Sequence, residues 1–167
     1  GRIFAIIEDL LDLSRLEQEN ENISSVEMNL VPFLQGICKK YDIKIVSESE
    51  EFLACINPSL FVQAINNLIE NALKYGGKKS EIECVLGNDK SIAIQDKGPG
   101  IPPEKRDRIF ERFYRIDKGR SRATGGTGLG LSIVRHIVTL HGFSIKETGR
   151  LDGKSGCRLV IYLDNPS

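Results

Sequence analysis

The sequence predicts an α+β fold of two layers, in which a mixed β-sheet is covered by helices on one face. Three observations support this class. The chain has 167 residues, which is enough for one domain with a single core. Apolar residues recur at helical spacing in two long segments, 58–75 and 129–141. The short segments around them alternate apolar and polar residues, which is typical of strands.

The chain begins with a predicted amphipathic helix over residues 1–18, whose apolar residues follow a heptad-like a/d spacing. One interpretation is a helix packed on the domain's own core. The favoured interpretation is the end of a longer bundle helix, because a polar linker follows it rather than a tight return. We therefore expect two parts, a helix end with its linker at 1–22 and a globular domain at 23–167.

The remaining elements are predicted in order along the chain. Helices are expected at 29–41, at 58–75 with Asn57 as N-cap, at 103–110 and at 129–141. Strands are expected at 42–47, 51–56, 80–86, 91–95, 143–148 and 157–163. The segment 115–126 has almost no apolar residues and is predicted to be a long loop.

Composition excludes several classes of protein. Acidic and basic residues number 23 each, and this balance provides no general attraction to nucleic acid or anionic lipid. No nucleic-acid partner is therefore expected. No apolar run is long enough to span a bilayer. The four cysteines form no C-x-x-C pair, so we expect buried free thiols rather than a zinc site.

The predicted helix 58–75 carries a polar stripe. Asn67, Asn71 and Lys74 are spaced i, i+4, i+7 and so lie on one helix face. An amide oxygen is a hard ligand suited to Mg²⁺, and an ammonium group suits phosphate. The alternative, a face that merely contacts solvent, is equally compatible with this stripe alone.

Two glycine-rich segments are further candidates. Asp96 follows a strand and precedes Gly98 and Gly100, where the backbone could approach a flat ligand closely while the carboxylate accepts from an exocyclic amine. An ordinary D-x-G turn is the alternative. The glycine-rich loop 125–131 opens a helix, whose N-terminal N–H groups favour phosphate. It is neither a Walker loop nor a dinucleotide fingerprint, because Gly-Lys-Ser/Thr and a preceding strand are both missing.

Four segments of the chain, which include the asparagine stripe, the Asp96 turn and the glycine-rich loop, resemble the conserved boxes of bacterial sensor histidine kinases. They occur in the same order as in that family. The segment NLIENALKY at 67–75 resembles the N box, and DKGPG at 96–100 resembles the G1 box. The segment FERFYR at 110–115 resembles the F box, and GTGLGL at 126–131 resembles the G2 box. The segment DLLDLSRLE at 9–17 is similar to the end of the dimerisation helix that precedes this domain in the family. The resemblance covers nearly the whole chain.

This resemblance implies the Bergerat ATP-binding fold, with ATP and Mg²⁺ as ligands. It implies that Asn71 holds Mg²⁺, that Lys74 contacts phosphate and that Tyr75 lies near the nucleotide. Asp96 would bind the adenine amine, and Arg115 would reach the terminal phosphate from a mobile lid at 115–126. Catalytic roles are expected for Asn67, Lys74 and Arg115. Further nucleotide contacts are expected from Asn67, Gly98, Gly100, Ile101, Gly126, Thr127, Gly128, Leu129, Gly130 and Leu131.

The function implied is that of a protein histidine kinase. The domain would pass the γ-phosphate of ATP to a histidine on an upstream helical bundle, which this chain lacks, for relay to an aspartate of a response regulator receiver domain. Residues 1–22 would be the end of that dimerisation bundle. The parent protein would be a homodimer, with this domain in the cytoplasm and any membrane attachment in N-terminal regions outside the chain.

Asn67 helps to separate transfer from hydrolysis. Related ATPases of the superfamily carry a glutamate there to activate water, whereas an amide accepts no proton at neutral pH. Glu70 faces away from the Asn67–Lys74 stripe, so we do not expect it to act as the base. Two alternatives remain: a serine kinase of the anti-sigma type, and a non-catalytic docking module that responds to nucleotide.

The two histidines are predicted to be structural rather than phosphate acceptors. His136 would share a polar helix face with Ser132, Arg135 and Thr139. His141 would lie at the helix end, where a cation is favoured by the helix dipole.

Overall fold

The computed structural model describes residues 2–18, 23–114 and 129–163 of the chain. The helices are α1 (Arg2–Gln18), α2 (Leu30–Tyr41), α3 (Pro58–Tyr75) and α4 (Gly130–Leu140). The strands are β1 (Val26–Asn29), β2 (Lys44–Ser47), β3 (Leu53–Ile56), β4 (Glu83–Gly87), β5 (Ser91–Gln95), β6 (Ser144–Glu147) and β7 (Arg158–Tyr162). Single 3₁₀ turns occur at Lys79–Glu81, Pro103–Lys105 and Arg108–Phe110.

The main sheet has five strands in the order β2-β4-β5-β7-β6. Strands β2 and β4 are parallel and the other pairs are antiparallel, so the sheet is mixed. One face contributes Ile92, Ile94, Leu159 and Ile161 to the same core cluster as the buried residues of α2, α3 and α4. The prediction of an α+β fold with helices on one face of a mixed sheet is therefore confirmed.

A second sheet was missing from the prediction. Strands β1 and β3 pair antiparallel, with Val26 opposite Ile56, apart from the main sheet. Asn29 ends β1 and also caps α2, because its Oδ1 accepts from the N–H groups of Val31 at 3.1 Å and Phe52 at 3.0 Å. The helix predicted over 29–41 thus begins one residue later. The helix predicted over 103–110 is instead two separate 3₁₀ turns.

Helices α3 and α4 pack antiparallel under the sheet. Asn57 caps α3 as predicted, since its Oδ1 accepts from the N–H of Leu60 at 3.1 Å. His141 follows the last residue of α4, and its Nε2 accepts from the backbone N–H of Asn57 at 3.0 Å. Because the end of α4 contacts the start of α3, the start of α4 lies toward the later half of α3.

The environment of His141 contradicts the prediction of a cation at the helix end. The Phe61 and Phe143 rings lie 5.6 Å and 5.4 Å from the imidazole, centroid to centroid. Burial lowers the pKa of His141, although its Nδ1 contact with the Ile137 carbonyl at 2.8 Å opposes the decrease. Nε2 accepts a hydrogen bond, so the proton of the neutral ring is on Nδ1. The ring that accepts from Asn57 is therefore neutral rather than cationic.

The predicted polar face of α4 is partly wrong. Arg135 and Thr139 are exposed as expected, and His136 is half-buried. Ser132 is buried instead, because its hydroxyl donates to the Leu129 carbonyl at 2.7 Å and needs no solvent. A back-bonded serine therefore packs in the core despite its polarity.

Helix α1 contacts the domain through only part of its surface. Leu13 is buried in the core cluster, and Asp12 accepts from the Gln63 amide of α3 at 3.3 Å. Ile7, Leu10 and Leu11 are 47%, 40% and 52% exposed. The helix thus packs on the domain, as one interpretation proposed, and also presents an uncovered apolar stripe.

Two further expectations concern the whole chain. No helix among the described residues has the length and apolar character needed to cross a membrane. All four cysteines are free, as expected, but only Cys38, Cys84 and Cys157 are buried. Cys55 is exposed because it lies in the short β1–β3 sheet rather than in the core.

Candidate functional site

Asp96 provides a fixed carboxylate directly after β5. The residue is 4% exposed, and its Oδ1 accepts from the backbone N–H groups of Gly98 at 2.9 Å and Cys157 at 3.1 Å. Burial raises the pKa of this carboxyl, and the two backbone donors oppose part of the rise. Both hydrogen bonds use Oδ1, so Oδ2 retains its capacity to accept from a ligand.

Glycines allow the end of α3 to approach this turn. A Cβ at Gly76 would lie 2.4 Å from Asp96 Oδ2, and one at Gly98 would lie 2.8 Å from the Cα of Gly76. Neither distance is sterically allowed, so backbone meets backbone here and the carboxylate lies beside the helix end. Gly100 and Ile101 continue the turn, both half-buried.

The polar stripe of α3 extends from this contact. Asn67, Asn71 and Tyr75 are half-buried and Lys74 is exposed, while the opposite helix face is buried in the core. Within the described residues, the Asn67 and Asn71 amides and the Lys74 ammonium have no hydrogen bond or ion pair. No described residue therefore occupies their polar atoms.

Glu70 is directed elsewhere, as predicted. Its carboxylate accepts from the hydroxyl of Tyr41 on α2 at 3.0 Å. Burial, together with the neighbouring Glu70 carboxylate, raises the pKa of Tyr41 to about 12. Glu70 is therefore occupied on the α2 side of the helix.

The N-terminus of α4 completes the described part of the site. Leu129 is fully buried and Gly130 is the first helical residue, with no side-chain cap on its N–H groups. The helix has 11 residues, which span about 16 Å. Because its far end contacts Asn57, its first residues Gly130 and Leu131 lie toward the later half of α3. The predicted contacts Arg115, Gly126, Thr127 and Gly128, and the lid 115–126, lie outside the described residues.

The segment resembling the F box is anchored to α4. Phe110 is 7% exposed, and the Arg135 guanidinium lies 5.9 Å from its ring centroid. Tyr114 is half-buried with the Arg108 guanidinium 4.5 Å from its ring centroid, whereas Phe113 is 52% exposed. The Phe110 contact places the described part of this segment beside α4.

The available donors fit a metal ion that is held mainly by phosphate. The described residues contain no group of three or more His, Cys, Asp or Glu side chains that could hold a metal. Asn71 offers a single amide oxygen. Mg²⁺ is commonly bound through one or two protein oxygens, substrate phosphates and water, so this lone ligand suits it.

The sequence did not reveal the residues that hydrogen-bond to Asp96 or pack against it from distant parts of the chain. Gly76 was recognised only as a helix stop, and Arg150, Gly156 and Cys157 were not recognised at all. Cys157 is 61 positions from Asp96, which its N–H nevertheless contacts. The Gly-Lys-Ser-Gly run at 153–156 was the one available signal of a tight backbone approach.

Comparisons with known proteins identify the family. Residues 56–167 match the family described as histidine kinase-, DNA gyrase B- and HSP90-like ATPases. The sensor protein kinase WalK of Staphylococcus haemolyticus is 38% identical over 152 residues, covering 84% of this chain and 25% of that relative. The chain therefore spans about a quarter of the length of this curated relative.

Solved structures show the same similarity. The ATP-binding domain of PrrB from Mycobacterium tuberculosis is 26% identical, with a TM-score of 0.63 over 87% of this chain and 100% of that one. Full-length ShkA in complex with AMPPNP has a TM-score of 0.71 at 22% identity, over 95% of this chain and 35% of that one. The latter likeness concerns the fold alone.

The chain therefore belongs to the family of histidine kinase-, DNA gyrase B- and HSP90-like ATPases. Within that family, it has the ATP-binding catalytic domain of the sensor histidine kinases. The serine kinase and docking-module alternatives are not favoured by the comparisons.

Proposed function

We propose that this domain binds Mg-ATP and donates the γ-phosphate to a histidine on an upstream helical bundle, for relay to a response regulator aspartate. The observation that carries the proposal is the buried Asp96 carboxylate. Its Oδ1 is fixed by two backbone N–H groups and its Oδ2 lies at the end of α3. Such an acceptor suits the exocyclic amine of adenine.

The polar stripe supplies the other contacts of the proposed site. Asn71 would ligate Mg²⁺ through its amide oxygen, while Lys74 and the N-terminal N–H groups of α4 bind phosphate. Tyr75, Gly98, Gly100 and Ile101 would lie against the base and sugar. Mg²⁺, when bound, would neutralise charge that develops on the phosphates. Arg115 and residues 126–129 would close the site over the terminal phosphate.

The residues near the stripe favour transfer over hydrolysis. Asn67 is an amide and cannot accept a proton from water at neutral pH. Glu70 is bonded to Tyr41 on the other side of the helix. The protein's contribution to catalysis would then be to position the phosphates and balance their charge, with the acceptor histidine as the nucleophile.

Residues 1–22 are proposed to be the end of the dimerisation helix. The exposed stripe of Ile7, Leu10 and Leu11 supports this assignment, because a bundle partner would cover it. In that arrangement the parent protein is a homodimer, its partners are its own histidine-bearing bundle and a receiver domain, and this domain acts in the cytoplasm, where ATP is available.

Incubation with γ-labelled ATP tests the proposed transfer. The chain alone should remain unlabelled, because His141 is held between Phe61 and Phe143 and His136 lies on α4 away from its start. Adding a separate bundle that carries the acceptor histidine should yield an acid-labile, base-stable label on that bundle. The matched control is the same mixture with Asp96→Asn, which should give no label.

Two results would contradict the proposal. An acid-stable label on an added protein would indicate a serine kinase. A histidine label on the isolated chain, mapped to His136 or His141, would show that the acceptor is misplaced.

A further inference from the structure

Arg150 contacts the backbone of the candidate base-binding turn through a hydrogen bond to Asp96. It lies in the connection between β6 and β7, and its side chain is only 10% exposed. Its Nη1 donates to the backbone carbonyl of Asp96 at 3.1 Å, across 54 positions of sequence. Among the described residues, Arg150 is the one side chain that donates a hydrogen bond to Asp96.

Asp152 holds the Arg150 guanidinium in this direction. Its Oδ1 accepts from Nε at 3.1 Å, and its Oδ2 accepts from Nη2 at 2.7 Å. The Oδ1 atom also accepts from the backbone N–H of Lys154 at 3.0 Å, which fixes the carboxylate to its own loop. A bidentate pair of this kind defines the plane of the guanidinium, so Nη1 has one direction in which to donate.

The hydrocarbon stem of Arg150 packs against Gly156, where a side chain on residue 156 would not fit. A Cβ at Gly156 would lie 2.6 Å from the Cδ of Arg150 and 2.1 Å from the Asp96 carbonyl oxygen. Gly156 also has a φ of 148°, which L side chains rarely adopt. Backbone, stem and turn are therefore packed in direct contact.

The loop that carries Arg150 holds the turn at several points. Asp96 donates its N–H to the Cys157 carbonyl at 3.0 Å, and the Ser155 hydroxyl donates to the Gly98 carbonyl at 2.7 Å. Arg150 supplies the bond to the Asp96 carbonyl itself. With its N–H, its carbonyl and its Oδ1 all bonded, Asp96 has one orientation in which Oδ2 can meet a ligand.

We propose that Arg150 is a positioning residue that gives the site its selectivity for an exocyclic amine over a carbonyl on the purine base. This inference rests on the proposed role of Asp96 and adds the residue that aims it. Without the guanidinium, the buried Asp96 carbonyl loses a partner and the carboxylate is less sharply directed. Amine recognition weakens most, because it depends on hydrogen-bond direction. Phosphate binding, on α3 and α4, changes little.

The test compares adenosine 5′-diphosphate with inosine 5′-diphosphate. Inosine has a carbonyl where the adenine base has its exocyclic amine. Affinities of both are measured by calorimetry for the wild type, Arg150→Met, Arg150→Lys and Asp152→Asn. Methionine keeps an unbranched stem against Gly156 but cannot donate. Arg158→Met is the matched control, because the Arg158 guanidinium bonds to Thr148 at 3.0 Å and not to Asp96.

The wild type should prefer the adenosine nucleotide, and Arg150→Met should reduce that preference about three- to tenfold, in keeping with a misdirected hydrogen bond. Arg150→Lys should retain only part of the preference for the adenosine nucleotide. Its ammonium can donate a hydrogen bond, but it cannot bond to Asp152 in a bidentate manner and to Asp96 at the same time. Asp152→Asn should give a smaller loss in the same direction, which provides a readout if Arg150→Met does not fold. Arg158→Met should leave the preference unchanged.

An equal loss of affinity for both nucleotides, or no loss, in Arg150→Met and Asp152→Asn would overturn the role of Arg150. Asp96→Asn distinguishes this from failure of the proposed function. If Asp96→Asn abolishes the preference while Arg150→Met retains it, only the Arg150 assignment fails. If the wild type shows no preference, or Asp96→Asn keeps it, both assignments fail.

Discussion

The two ends of the candidate site differ in how completely the protein has built them. At the end proposed to bind the base, Asp96 is buried, bonded to Gly98 and Cys157, and enclosed by glycine backbone. At the end proposed to bind phosphate, Asn67, Asn71 and Lys74 are half-buried or exposed, with no hydrogen bond or ion pair inside the described residues. One end is preorganised, and the other presents groups that a ligand would organise.

This difference suggests that selectivity for the base and electrostatic binding of the phosphates depend on different parts of the site. A rigid acceptor distinguishes one base from another, because a misplaced or missing amine leaves a buried oxygen unpaired. Phosphates and a cation contribute most of the electrostatic interaction, and solvated side chains can adjust to them. Substitutions at the base end should therefore change which nucleotide binds, whereas those at the phosphate end should change the dependence of binding on Mg²⁺.

The largest expected effect is on ATP hydrolysis, which should be slow. With an amide at Asn67 and with Glu70 bonded to Tyr41, we expect no described residue of α3 to activate water, and a missing base typically costs about 10²–10⁴-fold in rate. Steady-state phosphate release from the isolated chain measures it. A turnover near ~10 s⁻¹, typical of dedicated enzymes, would contradict the transferase assignment.

Replacing Asn71 with alanine sharpens the comparison at the phosphate end. Affinity for the Mg-nucleotide should fall about 10-fold or more, as for loss of a bond to a charged group. Affinity measured in excess chelator should barely change. Calorimetry with and without Mg²⁺ provides the test, and Asn66→Ala is the control because Asn66 neighbours the stripe without belonging to it. An equal loss with and without the cation would remove Asn71 from the metal site.

Replacing Gly76 with alanine tests the close approach at the base end. The added Cβ would lie 2.4 Å from Asp96 Oδ2, so the turn must move, and overpacking of this kind costs about 1–3 kcal/mol. Denaturant unfolding measures the free energy, and nucleotide binding should weaken in parallel.

Gly36→Ala is the matched control for this variant. Gly36 lies within α2 with nothing within 4 Å of its hypothetical Cβ, so alanine should stabilise the protein by about 0.5–1 kcal/mol. If Gly76→Ala is as stable and as active as the wild type, the backbone contact is not required.

The smallest expected effect is a pH dependence outside the site. Burial lowers the pKa of His141 below its unfolded value, so the neutral ring is favoured in the folded state. The stability it contributes is present above about pH 6.5 and is lost as the pH falls from there toward the folded pKa. The slope is at most about 1.4 kcal/mol per pH unit for one proton.

Unfolding free energies between pH 5 and pH 8 check this prediction. The contribution of His141 to the pH dependence of the unfolding free energy should be absent in His141→Gln. His136→Gln on the same helix should retain it. An unchanged slope in His141→Gln would place the titrating group elsewhere.

Much of the fold could be predicted, because local patterns specify most elements. Asn57 and Pro58 indicate the start of α3, because they are the N-cap and the first helical residue. Strand β5 was predicted with its observed bounds, 91–95. Strand β1 was missed because four residues that include Glu27 and Asn29 have little strand character. Only pairing with β3 makes this segment a strand, and that is a tertiary effect.

The candidate site was predictable where its residues are close in sequence. The stripe on α3 and the turn at Asp96 follow from spacing and residue type. The support from Arg150, Gly156 and Cys157 was not predictable, because hydrogen bonds across 54 and 61 positions depend on the sheet bringing β5 and β7 together. The structural role predicted for His141 fits its bond to Asn57, but the cationic state expected at the helix end does not, because burial beside Phe61 and Phe143 lowers its pKa.

Calorimetry with AMPPNP on Asp96→Asn tests whether Asp96 binds the adenine base. The asparagine oxygen can still accept from Gly98 and Cys157, so the unfolding midpoint should match that of the wild type. Its NH₂ group would face the adenine amine, donor against donor, and affinity should fall by about 100-fold or more. Affinity within a few-fold of the wild type, in a protein of unchanged stability, would show that Asp96 does not bind the base.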